Sequence, residues 1–266
     1  MDDNRIGVLA VQESHMDLDA TVQFQNFYGR WFKIINSADP EKPNSTAGVA
    51  FILNKRFIDD DHCRSRELIP GRALLLSIPW QGDKVVTFLN IYAPNTADAR
   101  SALWNELLNC WIKDATLPLP NIILGDWNFT ENPIDRSSNV GELVPESFNK
   151  LKNLFHMQDG WRSTFPDSRD YTCWQHRAQN NSDSNVNSYS RLDRIYIVSN
   201  EFDLYREWNI KHCAVKSDHR LVLTQLTCRP DVQPGPGRWC LPLYLLKTPK
   251  FIRMANELGL KMVDKI

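Results

Sequence analysis

The sequence predicts an α/β fold built as a layered β-sandwich with flanking helices, on three observations. Apolar runs of strand length recur at residues 6–11, 48–53, 73–78, 85–91, 122–124, 191–198, 212–215 and 221–226. Only two stretches between them carry clear helical periodicity. Short polar turns separate the runs, and the strands read as apolar on both faces, which requires layers on either side.

Taken in order, residues 6–11 are near-continuously apolar and predict a buried strand that ends at Gln12-Glu13. An aromatic-rich stretch follows (Phe24, Phe27, Tyr28, Trp31, Phe32), then a Pro/Asn/Ser loop at 38–46 and a strand at 48–53. Strands at 73–78 and 85–91 bracket Gln81-Gly82-Asp83, a hairpin turn. Leu103, Leu107 and Trp111 are spaced i, i+4, i+8 and predict a helix over 97–113, capped by Asn95 or Thr96, with Trp104 and Trp111 in the core. Residues 122–124 form a short buried strand. Phe148, Leu151 and Phe155 mark a second helix. Residues 175–190 turn polar and read as a long flexible loop between Trp174 and the strand at 191–198. Beyond Leu226, Pro230, Pro234, Gly235, Pro236 and Gly237 form a linker, and residues 241–266 hold a short apolar piece and a mixed-charge helix. The expected division is 1–228 for the main domain and 229–266 for linker and tail.

Composition narrows the function. Hydrophobic residues make up 42% and charged residues 24% of the 266, as in a soluble globular chain. No run approaches the roughly 18 apolar residues of a membrane span, and the acidic start, Met1-Asp2-Asp3-Asn4, is unlike a secretory signal. The six cysteines include no Cys-x-x-Cys pair, so they are expected to be reduced, in nucleus or cytoplasm, in a protein that is not secreted. The net charge of −1 argues against a strongly basic nucleic-acid binder but leaves room for a local basic face.

Five motifs close or interrupt apolar runs: Gln12-Glu13-Ser14-His15, Tyr92-Ala93-Pro94-Asn95, Gly125-Asp126-Trp127-Asn128, Arg191-Leu192-Asp193-Arg194 and Ser217-Asp218-His219. A strand end on a rigid sheet is where such side chains can be aimed into a cleft. In this order, over residues 6–227, the set resembles the endonuclease/exonuclease/phosphatase superfamily, the DNase I-like fold, a four-layer α/β/β/α sandwich. With Gly237-Arg238-Trp239-Cys240-Leu241-Pro242 after the domain, it resembles the apurinic-type endonuclease of non-LTR (LINE-type) retrotransposons.

The resemblance implies Mg²⁺-dependent phosphodiester hydrolysis, with Mn²⁺ as a substitute ion, and DNA as partner; no membrane and no protein partner are indicated. Such hydrolysis needs an activated water and neutralised charge on the leaving oxygen, and Mg²⁺ takes carboxylate oxygens and keeps several waters. By resemblance Glu13 is the main metal ligand and Asp218 sits beside the metal. Asp126 orients or deprotonates the attacking water, and Asn128 helps hold the phosphate. His219 contacts the scissile phosphate and is oriented by Asp193, while Tyr92 bonds the phosphate or shares its proton with the leaving group. Asn95, Trp174 and Arg177 are expected to touch substrate, Arg177 and His176 through phosphates. In the nucleases that the chain resembles, the hairpin corresponding to residues 175–190 enters a groove.

The superfamily's first strand carries an Asn at the metal and is followed by a helix; here only residues 1–5 precede the Glu13 strand. The expectation is a sandwich lacking its first strand and helix, with an unpaired edge and an exposed apolar face. Two alternatives stay open: a catalytically dead remnant of the same fold, and a phosphatase acting on inositol phosphates or lipids, against which the segment at 237–242 argues.

Overall fold

A computed structural model describes residues 1, 5–80, 84–177, 186–213, 215–227 and 248–263. In Met1–Thr227 the elements run β1 (Val8–Gln12), α1 (Leu18–Tyr28), β2 (Phe32–Ser37), β3 (Val49–Asn54), β4 (Arg64–Ile69), β5 (Ala73–Pro79), β6 (Val85–Tyr92), α2 (Ala97–Lys113), β7 (Ile122–Asp126), α3 (Glu146–Phe155), β8 (Met157–Asp159), α4 (Gly160–Thr164), β9 (Cys173–Arg177), β10 (Val186–Ser190), β11 (Asp193–Val198), β12 (Tyr205–His212) and β13 (Arg220–Leu226). A second unit, Cys228–Ile266, contributes α5 (Pro249–Val263). The expected linker at 230–237 lies outside the described residues, as do the turn at 81–83 and the Gly-Arg-Trp segment.

The central sheet has six strands in the order β4-β5-β6-β7-β11-β8, with β6 and β7 parallel and the other pairs antiparallel. Strand periodicity sorts its side chains into two cores. Leu75, Leu89, Ile91, Ile123 and Tyr196 point one way, into a core closed by Leu103, Trp104, Leu107 and Trp111 of α2 and Phe148, Leu151 and Phe155 of α3. Leu74, Leu76, Ile78, Phe88, Ile122, Ile195 and Ile197 point the other way, toward Val49, Phe51 and Leu53 of β3 and Trp208 of β12. The second layer consists of two smaller sheets, β1-β3-β2 and β12-β13. Helix α1 packs against β2 without burying any of its own residues. The layers thus run α/β/β/α, and Trp104 and Trp111 are core residues as expected.

Four expectations are corrected. First, β1 is half-exposed along its whole length rather than buried. Among the described residues it pairs with β3 on one edge, and β13 pairs with β12. Consecutive residues of both strands border a cleft of about 970 Å³ floored by Ile122, Leu124 and Ile195.

Second, the polar stretch 175–190 is not simply a loop. It holds the β9–β10 hairpin, registered from Cys173↔Ser190 to Arg177↔Val186, because alternation survives in a polar sequence once each strand has a partner. Third, the strand expected at 212–215 lies earlier, as β12, and Val215 is exposed. Trp208 and Tyr205 rather than the short apolar run decide what is buried. Fourth, Thr96 occupies the α2 cap position without a side-chain bond, so neither Thr96 nor Asn95 caps as expected.

Candidate active site

Three neighbouring strands of the central sheet end at one line. Tyr92 of β6 is opposite Asp126 of β7, which is opposite Asp193 of β11. Residues directly opposite share a face, and Leu124 and Ile195, two residues from the carboxylates, face the inter-sheet core. The two aspartates and Tyr92 therefore project between the layers at the sheet's end. The second layer adds Glu13, just after β1, and His219, just before β13. Gly125 makes this convergence possible: its φ is 149°, and a Cβ there would lie 1.9 Å from the Ile91 carbonyl oxygen.

Glu13 and Asn128 both have left-handed backbones, at φ 53° and 52°. Such conformations are costly for residues with side chains and cluster at functional sites. The Tyr92 hydroxyl donates to Glu13 Oε1. Burial raises the Tyr92 pKa, and the neighbouring carboxylates of Glu13 and Asp126 raise it further, so the phenol keeps its proton.

Asp193 Oδ2 lies 2.8 Å from His219 Nδ1. Burial opposes charge on this ring, but Asp193, the Cys173 thiol and Asp126 together lift its pKa to about 12. His219 is a held imidazolium at neutral pH. Asp126, 6% exposed, is pushed up to about 7 by burial and by the charge of Asp193, with His219 pulling in the opposite direction. A protonated ring beside a carboxylate poised near neutrality is a usable acid/base pair.

Asn128 donates from its backbone N–H to Asp126 Oδ1 at 2.9 Å and from Nδ2 to the Ala93 carbonyl at 2.7 Å, which leaves one amide hydrogen and Oδ1 for a ligand. Asn95 is exposed, and its carbonyl is held by Arg100 Nη1 at 2.7 Å. Trp174 packs within the protein: the Arg220 guanidinium lies 4.1 Å over its ring and His212 stacks at 5.6 Å. Arg177 closes β9, and its side chain lies outside the described residues. The Asp218 carboxylate is grouped with Cys173 and His219, and among the described residues no three-ligand cluster includes Glu13.

Three positioning residues were not foreseen. Asn90, fully buried on β6, accepts from Gln12 Nε2 at 2.7 Å and donates to the carbonyls of Val11 and Ala50, fastening the Glu13 strand to the central sheet. Arg100, on the apolar stripe of α2, holds the carbonyls of both Asn95 and Asn128. Thr172, wholly buried, accepts from the N–H groups of Leu192 and Asp193, both at 3.0 Å, and its carbonyl accepts from Arg220 at 2.7 Å. It thereby fixes both ends of the Asp193–His219 pair. Of the three, Asn90 alone had a sequence signal, a polar residue inside the apolar run 88–91. Thr172→Val strands two N–H groups at about 1–3 kcal/mol each. Its denaturation midpoint should fall well below those of Thr172→Ser and the native protein, measured by chemical unfolding.

Behind the site, Arg191 makes a bidentate pair with Asp135 at 2.8 and 2.9 Å and bonds Asp159 at 2.7 Å. All three residues are buried, so each charge has its partner, and the start of β11 is locked.

No family model matches the sequence. Solved structures do. An AP endonuclease from Archaeoglobus fulgidus superposes with a TM-score of 0.63 at 16% identity, over 85% of this chain and 90% of that one. The AP endonuclease LMAP from Leishmania major gives 0.63 at 16% identity, over 83% and 78%. The endonuclease domain of TRAS1, a telomere-specific non-LTR retrotransposon, gives 0.55 at 12% identity, over 83% and 99%. With its two facing β-layers and outer helices, the chain has the DNase I-like fold that these nucleases share.

Proposed function

We propose that this chain is a metal-dependent phosphodiesterase that nicks DNA, related to the endonucleases of non-LTR retrotransposons. The observation that carries the reading is the convergence of Glu13, Tyr92, Asp126, Asp193 and His219 at one end of the sandwich, with a buried imidazolium beside a carboxylate poised near neutrality. The likeness to AP endonucleases and to the TRAS1 endonuclease domain supports DNA as substrate.

The residues fit a hard divalent cation. Burial and the charge of Asp193, with a smaller share from Glu13, keep Asp126 partly protonated, and a bound cation would relieve that excess of negative charge. Glu13 is the proposed main ligand for Mg²⁺, or Mn²⁺ in its place, with one oxygen committed to the Tyr92 hydroxyl. When bound, such an ion supplies charge neutralisation at phosphate oxygens. Asp218, expected beside that ion, is proposed to act from the His219 side, where its carboxylate lies. The remaining chemistry belongs to the chain. Asp126 takes the proton of the attacking water, and Asn128 offers its second amide hydrogen to the phosphate. His219, held by Asp193, meets the charge that develops in the transition state. Tyr92, still protonated, is proposed to turn its one hydroxyl hydrogen from Glu13 to the leaving oxygen. The β9–β10 hairpin is proposed to lie along the duplex, with His176 and Arg177 toward phosphates.

The pH dependence follows from these groups. A base must be deprotonated to act, so the rate should climb by about tenfold per pH unit up to the pH at which Asp126 titrates, about 7 in the metal-free site and lower once a cation is bound, and then level. No alkaline fall should appear near neutrality, because His219 keeps its proton to about 12. Rates of nicking on a labelled duplex across pH test this, and Asp126→Asn should remove the acidic limb with a loss of about 10²–10⁴-fold. A profile with no acidic limb anywhere at or below about 7 would exclude Asp126 as the base. The open cleft beside β1 favours a second reading, a non-catalytic remnant that retains DNA binding; no nicking at any pH, with binding intact, would select it.

A further inference from the structure

Cys173 and His219 form an isolated antiparallel bridge pair, so their side chains share one face. The thiol lies against the imidazole, and the Asp218 carboxylate completes a trio whose ligand atoms all lie within 4.8 Å of one another. The backbone under the trio is pinned on both sides: Trp174 N–H donates to the Asp218 carbonyl at 3.1 Å, and Arg220 N–H to the Thr172 carbonyl at 2.7 Å. Cys173 is 3% exposed, whereas Asp218 is exposed.

We propose that Cys173, Asp218 and His219 bind a thiophilic divalent cation, Zn²⁺ foremost, at a site separate from the Glu13 position, and that this ion withdraws His219 from the phosphate.

The donor chemistry separates the two sites. Glu13, Asp126 and Asp193 offer only oxygens, the set that suits Mg²⁺ and Mn²⁺. A thiolate, an imidazole and a carboxylate, with a fourth position left to water, suit Zn²⁺, and soft sulfur discriminates against Mg²⁺. Asp193 already occupies Nδ1 of His219. This is the carboxylate–histidine arrangement in which an imidazole presents its other nitrogen to a metal. Binding displaces the thiol proton and the proton on that second nitrogen, both to solvent, so affinity rises with pH. The imidazolium needed at the phosphate is then gone, and the ion inhibits. Only that inhibition rests on the proposed hydrolysis.

The test needs no substrate. The full chain, in excess Mg²⁺ to fill oxygen sites, is titrated with Co²⁺, whose ligation by thiolate gives a charge-transfer band in the near ultraviolet. A saturable band that Zn²⁺ abolishes is expected. Cys173→Ser should lose it, which separates this thiol from the other five cysteines of the chain. Asp193→Asn should weaken binding by about 10–100-fold, and Asp218→Asn by at least tenfold. Absence of the band in the native chain, or an undiminished band in Cys173→Ser, overturns the proposal. Should Cys173→Ser fail to fold, Asp218→Asn decides, and unchanged affinity there is equally fatal. If Co²⁺ binds as expected while the chain nicks nothing, the metal site stands and the hydrolytic reading falls.

Discussion

Glu13→Gln is expected to abolish Mg²⁺-dependent nicking, with a loss of about 10²–10³-fold or more, the scale seen when one charge-stabilising group is removed from a preorganised site. The substitution keeps the side-chain shape and can still accept from the Tyr92 hydroxyl. It removes only the charge that would hold the cation. Because Glu13 follows β1 directly and Asn90 anchors that strand from the central sheet, the backbone should not move. The melting temperature of the variant should match the native one within a few degrees. Native-like nicking by Glu13→Gln would remove this residue from the site.

Nearly as large an effect is expected at the Asp193–His219 pair. His219→Ala and Asp193→Asn should each lower the rate by about 10²–10⁴-fold. The Asp acts chiefly through the ring that it holds at 2.8 Å, besides raising the pKa of Asp126. Once the ring is gone, the carboxylate has nothing to orient, so the double variant should be no worse than the poorer single one, as for residues acting as one unit. A double loss equal to the product of the single losses would show that the two act independently.

Much of this arrangement was legible in the sequence. Strands β5, β6 and β7 of the central sheet announce themselves because they are buried on both faces. Helix α2 shows itself through Leu103, Leu107 and Trp111. The five motifs at strand ends name the residues that the register then aligns, and Asp193–His219 and Glu13–Tyr92 do meet.

What was hidden depends on partners far away in sequence. Strand β4 is almost entirely exposed and charged, so only its pairing with β5 makes it a strand. Hairpin β9–β10 is polar for the same reason. Helix α1 buries no residue and carries no apolar stripe to read. Asn90, Arg100 and Thr172 do their work through bonds to backbone groups 5 to 79 residues away, and no local pattern announces such bonds. The ring contacts of Trp174, with Arg220 over it and His212 stacked on it, are equally invisible in the local sequence.

The most direct measurement is the conversion of supercoiled plasmid to open circles by the purified chain, with Mg²⁺ and with Mg²⁺ plus excess EDTA. Nicking with Mg²⁺ that EDTA abolishes, and that Glu13→Gln fails to reproduce, is the expected result. Nicking that persists in EDTA, or no nicking by a cooperatively folded native chain at saturating Mg²⁺, would contradict a metal-dependent nuclease built on Glu13, Asp126 and His219.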